Sequence, residues 1–241
     1  MALFSIGYDP VIILHLLLIM AIVSVKKGKL TVPAAMVAIL IGIVVFAGAG
    51  YIGFILLGVF FTLGVLASSH KKELKAALHH GVAHVQIRNA GQVLANGGVA
   101  ALCAAGALVD PENTALYSMM VAASLASAAA DTLSSELGMV YGRNTFNILT
   151  FKKEPAGLDG VISWEGTLIG AAGSMAVAVI WSLEAGFGKI TLIVTLAGII
   201  GNLFDSLLGA LLERRQYIGN DLVNFLNTLF AALVAWLLYQ L

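Results

Sequence analysis

The chain has 241 residues, of which 60% are hydrophobic and 11% charged, against usual shares of about 45–50% and about 25%. Its mean hydropathy is +0.97. A water-soluble fold cannot hide that much apolar surface, and a net charge of zero with 13 basic and 13 acidic residues argues against a nucleic-acid binder. The lone cysteine, Cys103, excludes an internal disulfide and any Cys-based metal site.

A helix needs about 17–25 apolar residues to cross ~30 Å of hydrocarbon. Runs of that kind occupy roughly 10–25, 31–47, 51–69, 93–109, 118–140, 166–183, 190–212 and 222–240. The expected fold is therefore all-α: a polytopic membrane protein of about eight transmembrane helices, with residues 1–241 forming one integral-membrane domain. Within it, 1–75 is a three-helix N-terminal part and 80–241 carries the polar motifs. The first run lacks a basic leader and reads as a retained span. Only Gly48, Gly50 and Gly53 separate the second run from the third.

If the loops alternate sides, one side collects Lys26, Lys27, Lys29, Lys71, Lys72, Lys75, Arg88, Arg143, Lys152, Lys153, Arg214 and Arg215, and leaves only Lys189 on the other. The positive-inside rule makes the first side cytoplasmic and puts both termini outside. Asp9, Asp110, Glu112 and Glu184 fall in the outer segments. The expected location is a prokaryotic cytoplasmic membrane, with the active site facing the cytoplasm.

Polar residues inside the runs follow the chain in order. His84, Arg88, Gln92 and Asn96 recur every four residues, a stripe that a helix would keep nearly on one side. The fifth run holds Asp131, Ser134, Ser135 and Gly138 on one face, with Asp131 about 13 Å inside the inner boundary. Glu136 is turned away by roughly 140°, so on a straight helix the two acids have different tasks. The loop from Glu154 to Thr167, including Asp159 and Gly160, is rich in glycine and hydroxyls and precedes a Gly166, Gly170, Ser174, Ala178 packing face. The seventh run holds Asn202, Asp205 and Ser206, with Asp205 about 12 Å deep. The eighth opens with Asn220, Asp221, Asn224 and Asn227, a carboxamide stripe entering the membrane. Histidines 15, 70, 79, 80 and 84 do not fall at metal-ligand spacing.

A carboxylate near the bilayer centre costs about 2.5–3.5 kcal/mol on insertion scales. Asp131 and Asp205 have no Lys or Arg inside any run to offset them, so a bound cation is the simplest counter-charge. Oxygen ligands without cysteine suit Mg²⁺, which is usually held by one or two carboxylates plus substrate phosphates. Arg88, Lys152, Lys153, Arg214 and Arg215 are at the right level to meet phosphate oxygens.

Five ordered blocks carry a family resemblance: Gln92 to Gly98, Ala130 to Gly138, Gly157 to Gly173, Gly201 to Ser206, and Asn220 to Thr228. Together they resemble an integral-membrane family, long called a domain of unknown function, that includes plant phytyl-phosphate kinase and animal transmembrane protein 19. The resemblance covers about residues 80–241. More distantly the chain is similar to phytol kinase, dolichol kinase and CDP-diglyceride synthase, although it lacks the synthase signature's Lys-Arg pair.

The resemblance implies CTP-dependent phosphorylation of an isoprenoid monophosphate, such as phytyl or geranylgeranyl phosphate, to the diphosphate. It implies CTP as co-substrate, and the oxygen ligands make Mg²⁺ the expected cofactor. On that basis Asp131, Asp205 and Arg88 are the expected catalytic residues, and Asp131, Asp205, Asp221 and Glu136 the expected metal ligands. Substrate or nucleotide binding is expected of Gln92, Asn96, Ser135, Glu136, Lys153, Asp159, Gly160, Asn202, Ser206, Asn220, Asn224 and Asn227. The alternatives are a cytidylyltransferase making a CDP-lipid and a transporter with an intramembrane cation site. The expected partners are the isoprenoid phosphate, the nucleoside triphosphate and the bilayer, with no nucleic acid and with room for a homo-oligomer.

Overall fold

The longest apolar stretch of the chain folds back on itself. In the computed structural model, which describes residues 10–78 and 87–241, α1 (Pro10–Lys26) is followed by α2 (Val32–Ser69). Thr31 caps α2 by accepting the Ala34 amide at 3.3 Å. Gly50 interrupts it with φ 63° and ψ −158°, a conformation open to glycine alone without strain. A straight helix of that length would hold its ends about 57 Å apart. Instead Lys29, just before α2, donates its ammonium to Ser69 Oγ at 2.8 Å, so 32–49 and 51–69 are two arms of a hairpin. Just before the turn the first arm lies on α4 with no room for a larger residue: a Cβ on Gly48 would run into the Ala104 carbonyl.

The remaining elements are α3 (Lys72–Leu78), α4 (Ala90–Val109), α5 (Thr114–Tyr141), a two-residue antiparallel pair β1 (Phe146–Asn147) and β2 (Val161–Ile162), α6 (Trp164–Ala185), α7 (Lys189–Leu208) and α8 (Asn220–Gln240). The protein is an all-α polytopic membrane protein. Among the described residues six helices are long and apolar enough to cross a membrane, and α1 is a shorter apolar helix of 17 residues. His79, His80, His84 and Asp9, which the sequence placed in loops and in the polar stripe, lie outside the described residues.

α5 is the axis of the bundle. Its buried face, which runs through Val121, Leu125 and the alanines from 122 to 130, packs into one core with α2, α4, α6, α7 and α8. Small residues set the close approaches. Gly138 meets Gly166, Gly170 lies on the Ala130 carbonyl, and Gly198 lies on Ala126. The small-residue face expected on α6 thus packs against α5, while Ser174 donates to the Thr195 carbonyl of α7 at 2.8 Å.

Arg88 departs from the expected helical stripe. It lies before α4 in a β-bridge to Leu30, with its amide donating to Lys29 O at 3.0 Å and its carbonyl accepting Thr31 N at 3.1 Å. Asn89 and Gln92 form a reciprocal capping box that starts α4 one residue later. The repeat of polar residues every four positions continues across a helix start, so it does not describe one helix.

Replacing Gly48 with valine is expected to destabilise the detergent-purified protein by at least about 1–3 kcal/mol, because the clash is with backbone and cannot relax through a rotamer. Thermal unfolding followed by size-exclusion chromatography reads this, and an unchanged transition would contradict the hairpin packing.

A polar chamber at one end of the bundle

The ends of α2, α5 and α7 and the starts of α4, α6 and α8 meet at the same end of the bundle, where they enclose a cavity of about 580 Å³. The chains of contact there are direct: Lys29 to Ser69, Leu30 to Arg88, Ser68 to Glu136, and Arg214 to Glu154 at 2.7 Å. Twelve of the thirteen basic residues belong to the segments that gather at this end. The floor of the chamber is reached at Asn96, Asp131, Thr167, Asn202 and Asn224. Beyond them lie Ser127 and Asn227, both fully buried, and then the alanine-rich core.

Asp131 from α5 and Asp205 from α7 line the same chamber, near enough for their charges to act on each other. The wall around them is organised by side-chain bonds. Asn202 accepts the Ser134 hydroxyl at 3.0 Å, and Ser206 donates back to the Asn202 carbonyl at 3.3 Å. Asn224 donates to Asn220 at 3.1 Å. Asn96 is 8% exposed and donates to the Gln92 carbonyl at 2.9 Å, which leaves its Oδ1 with no partner among the described residues.

Arg88 enters from the loop side, its guanidinium against Gly64 and 5.6 Å from the Phe60 ring centre. Burial draws its pKa below the ordinary value, while Glu136 and Asp131 oppose that shift. Arg88 therefore brings positive charge toward Glu136 and Asp131 from outside every apolar run, without a direct ion pair to either.

One wall is the hairpin loop between β1 and β2. Gly160, at φ +73°, is packed so closely on Ala210 that no Cβ fits. Ala210 belongs to a wide π-turn, Gly209–Glu213, that ends α7. The Glu154–Arg214 pair pins the same loop, and Arg214 holds the Glu154 carboxyl below its usual range. Burial raises the Asp159 carboxyl, opposed by Arg214. Ser163 caps α6 by accepting the Gly166 amide at 3.0 Å, so that helix start already has a ligand of its own.

Of the expected residues, Arg88, Gln92, Asn96, Asp131, Ser135, Glu136, Asp159, Gly160, Asn202, Asp205, Ser206, Asn220 and Asn224 line this one chamber. Three stand elsewhere. Lys153 is exposed on the loop and bridges to Phe146. Asp221 is exposed beside Gly91 in the first turn of α4, where a carboxylate suits the positive helix end. Asn227, 0% exposed, donates to Asp205 Oδ1 at 2.5 Å and accepts Ser127 Oγ at 3.1 Å, so it positions Asp205 from behind and has no surface for a ligand.

Glu136 lines the chamber but has both oxygens engaged. One accepts Ser68 Oγ at 2.8 Å, and the other pairs with Lys75, whose ammonium also donates to the Ala67 and Ser68 carbonyls. Lys75 is 3% exposed and was hidden in the sequence among the neighbouring lysines. Ser68, Lys72 and Thr132 also line the chamber; Thr132 falls within the Ala130 to Gly138 block and Lys72 within the basic loop, whereas nothing local marks Ser68.

Among the described residues no three His, Cys, Asp or Glu side chains come together at metal-holding geometry. Asp131 and Asp205, which line the chamber together, would supply the one or two carboxylates that Mg²⁺ uses when phosphates complete its shell. The donor set fits that ion.

Fold and chamber together define a polytopic membrane protein with a polar, carboxylate-bearing site at one end of its bundle. The chain belongs to the integral membrane protein family DUF92, whose model matches residues 15–232. It is 34% identical over 227 residues to an uncharacterised membrane protein of Synechocystis sp., covering 90% of this chain and 86% of the relative. An uncharacterised membrane protein of Methanocaldococcus jannaschii is 37% identical over 200 residues, covering 83% and 82%. The chloroplast protein VTE6 of Arabidopsis thaliana is 31% identical over 215 residues, covering 84% of this chain and 63% of that one. No solved structure matches the chain.

Glu136→Gln leaves a buried ammonium without its carboxylate and is expected to cost about 3–5 kcal/mol, with Lys75→Met on the same background recovering most of it. A double-mutant cycle on detergent-phase unfolding reads the coupling. Additive effects would show that the pair is not formed.

Proposed function

We propose that the protein is a membrane-embedded kinase that phosphorylates an isoprenoid monophosphate to the diphosphate, with CTP as donor and Mg²⁺ as cofactor, at the cytoplasmic face. One observation carries this reading: Asp131 and Asp205, from two different helices, line a single chamber that also holds Arg88. The family's inclusion of plant phytyl-phosphate kinase supports the acceptor class. The gathering of the basic loops at the chamber end supports a cytoplasmic orientation with both termini outside.

Phosphoryl transfer demands positioning and neutralisation of charge more than covalent chemistry. In the proposed reaction an oxygen of the acceptor phosphate attacks the γ-phosphorus of CTP. The new P–O–P bond forms as the bond to the β-phosphate oxygen breaks, and CDP leaves. The acceptor is already ionised, so the chain supplies no strong base. Asp131 and Asp205 would hold the ion, which would neutralise and align phosphate oxygens when bound. Arg88 faces charge developing on the transferred group. Asn202, Asn220 and Asn224 offer carboxamides to phosphate or cytosine, and Asn227 fixes the rotamer of Asp205. The floor of buried Ser127, Asn227 and alanines favours this reading over a transporter, because the chamber's lining stops there.

Purified protein incubated with CTP, Mg²⁺ and labelled geranylgeranyl monophosphate is expected to yield the diphosphate and CDP. Asp131→Asn and Asp205→Asn are each expected to lower kcat by about 100-fold or more without loss of folded protein. A CMP-containing lipid would replace the kinase by a cytidylyltransferase. No product of either kind, or full activity in both variants, would overturn the reading.

A further inference from the structure

A second groove opens off the chamber on its N-terminal side. It has a volume of about 100 Å³ and lies between α1, both arms of α2 and α4. Its lining is aliphatic and aromatic along most of its length, with Leu17, Ile41, Leu57 and Phe61 among the walls. Arg88, Gln92 and Asn96 line both the groove and the chamber. The groove therefore begins where the polar site ends. At that junction stand a cationic guanidinium and the Asn96 Oδ1, which is buried and unpartnered among the described residues. The Asn96 amide cannot be reversed to remove this orphan, since its nitrogen is needed by the Gln92 carbonyl. Its free atom is an acceptor and awaits a donor, such as a water carried in with the ligand's head.

A polar cavity joined to an apolar groove through a cation matches an anionic amphiphile, with its head in one and its hydrocarbon in the other. We propose that this groove holds the head-proximal part of the acceptor's isoprenoid tail, so that α1 and the α2 hairpin select the acceptor while the remaining helices carry out transfer. This rests on the kinase reading above. It gives residues 10–69 a task that the motif-bearing part of the chain does not supply. Gly58, on the second arm, leaves space at the groove: an added Cβ there meets no atom within 4 Å, so a larger side chain projects into open space. Gly58 lies six residues from Gly64, which touches Arg88, and so about 9 Å along the arm from the junction. A short acceptor ends before that point, and a long one has to pass it.

The test compares a C20 with a C5 isoprenyl monophosphate in one preparation of Gly58→Phe, so that the ratio cancels any loss of folded protein. The expected result is a fall of at least tenfold in the C20-to-C5 ratio of kcat/KM, with Gly58→Ala near the parent ratio. An unchanged ratio in Gly58→Phe would overturn the proposal. A second readout does not depend on transfer: a diazirine-bearing geranylgeranyl monophosphate, irradiated on the parent protein, should crosslink to Leu17, Leu57 or Phe61. Excess unlabelled geranylgeranyl monophosphate should compete, and phosphatidylcholine should not. Crosslinks in the groove without any kinase activity would sink the kinase reading and keep the tail site. Activity with crosslinks elsewhere, or equal competition by phosphatidylcholine, would keep the kinase and sink the tail site.

Discussion

Two carboxylates that line one cavity in a membrane bundle are the constraint around which this fold is arranged. Each alone is costly in a low-dielectric setting, and side by side they repel unless a proton or a cation comes between them. The bundle does not separate them. It holds them together through several independent supports: the Ser134–Asn202 bond ties α5 to α7, and Asn227 grips Asp205 from α8. Gly170 lets α6 lie directly on α5 beneath the pair. Such supports are expected where a geometry has to be kept ready for a ligand.

The positive groups are kept one step back from that pair. Arg88 comes from a bridge beside the first loop, Lys75 is matched with Glu136, and Arg214 is matched with Glu154. None of these ion pairs involves Asp131 or Asp205, which leaves the carboxylates without a direct cationic partner among the described residues. On the proposed reading this is the arrangement a metal-nucleotide site needs: acids free to take an ion, and one guanidinium placed for phosphate. On the same proposed reading the apolar groove extends this logic toward the membrane, with the acceptor's tail on the far side of Arg88 from its head.

Much of this was readable from the sequence, for physical reasons that differ from residue to residue. Asp131 and Asp205 were legible because an acid inside an apolar run is rare, and because the rise of a helix converts position into depth. The reversal at Gly50 was legible too, because two apolar runs whose outer ends lie on the same side require the chain to turn between them, and the positive φ of Gly50 and the meeting of Lys29 and Ser69 bear this out. Arg88 was misread as helical because its four-residue spacing to Gln92 and Asn96 imitates a helix face. The Asn89–Gln92 pair, a capping signature, marked the true start. Asn227 shares a face with Asn220 and Asn224 but lies about 10 Å deeper than Asn220, past the chamber floor. Lys75 was not readable at all, because only tertiary packing distinguishes it from Lys71 and Lys72.

The central claim is that Asp131 and Asp205 jointly bind a divalent ion together with nucleotide. Electron paramagnetic resonance of Mn²⁺ titrated into the purified protein tests it without reference to turnover. The account predicts a bound Mn²⁺ signal that strengthens with CTP and weakens at least tenfold in affinity when either aspartate becomes asparagine. Mn²⁺ binding that is absent with CTP present, or that survives both substitutions unchanged, would contradict it.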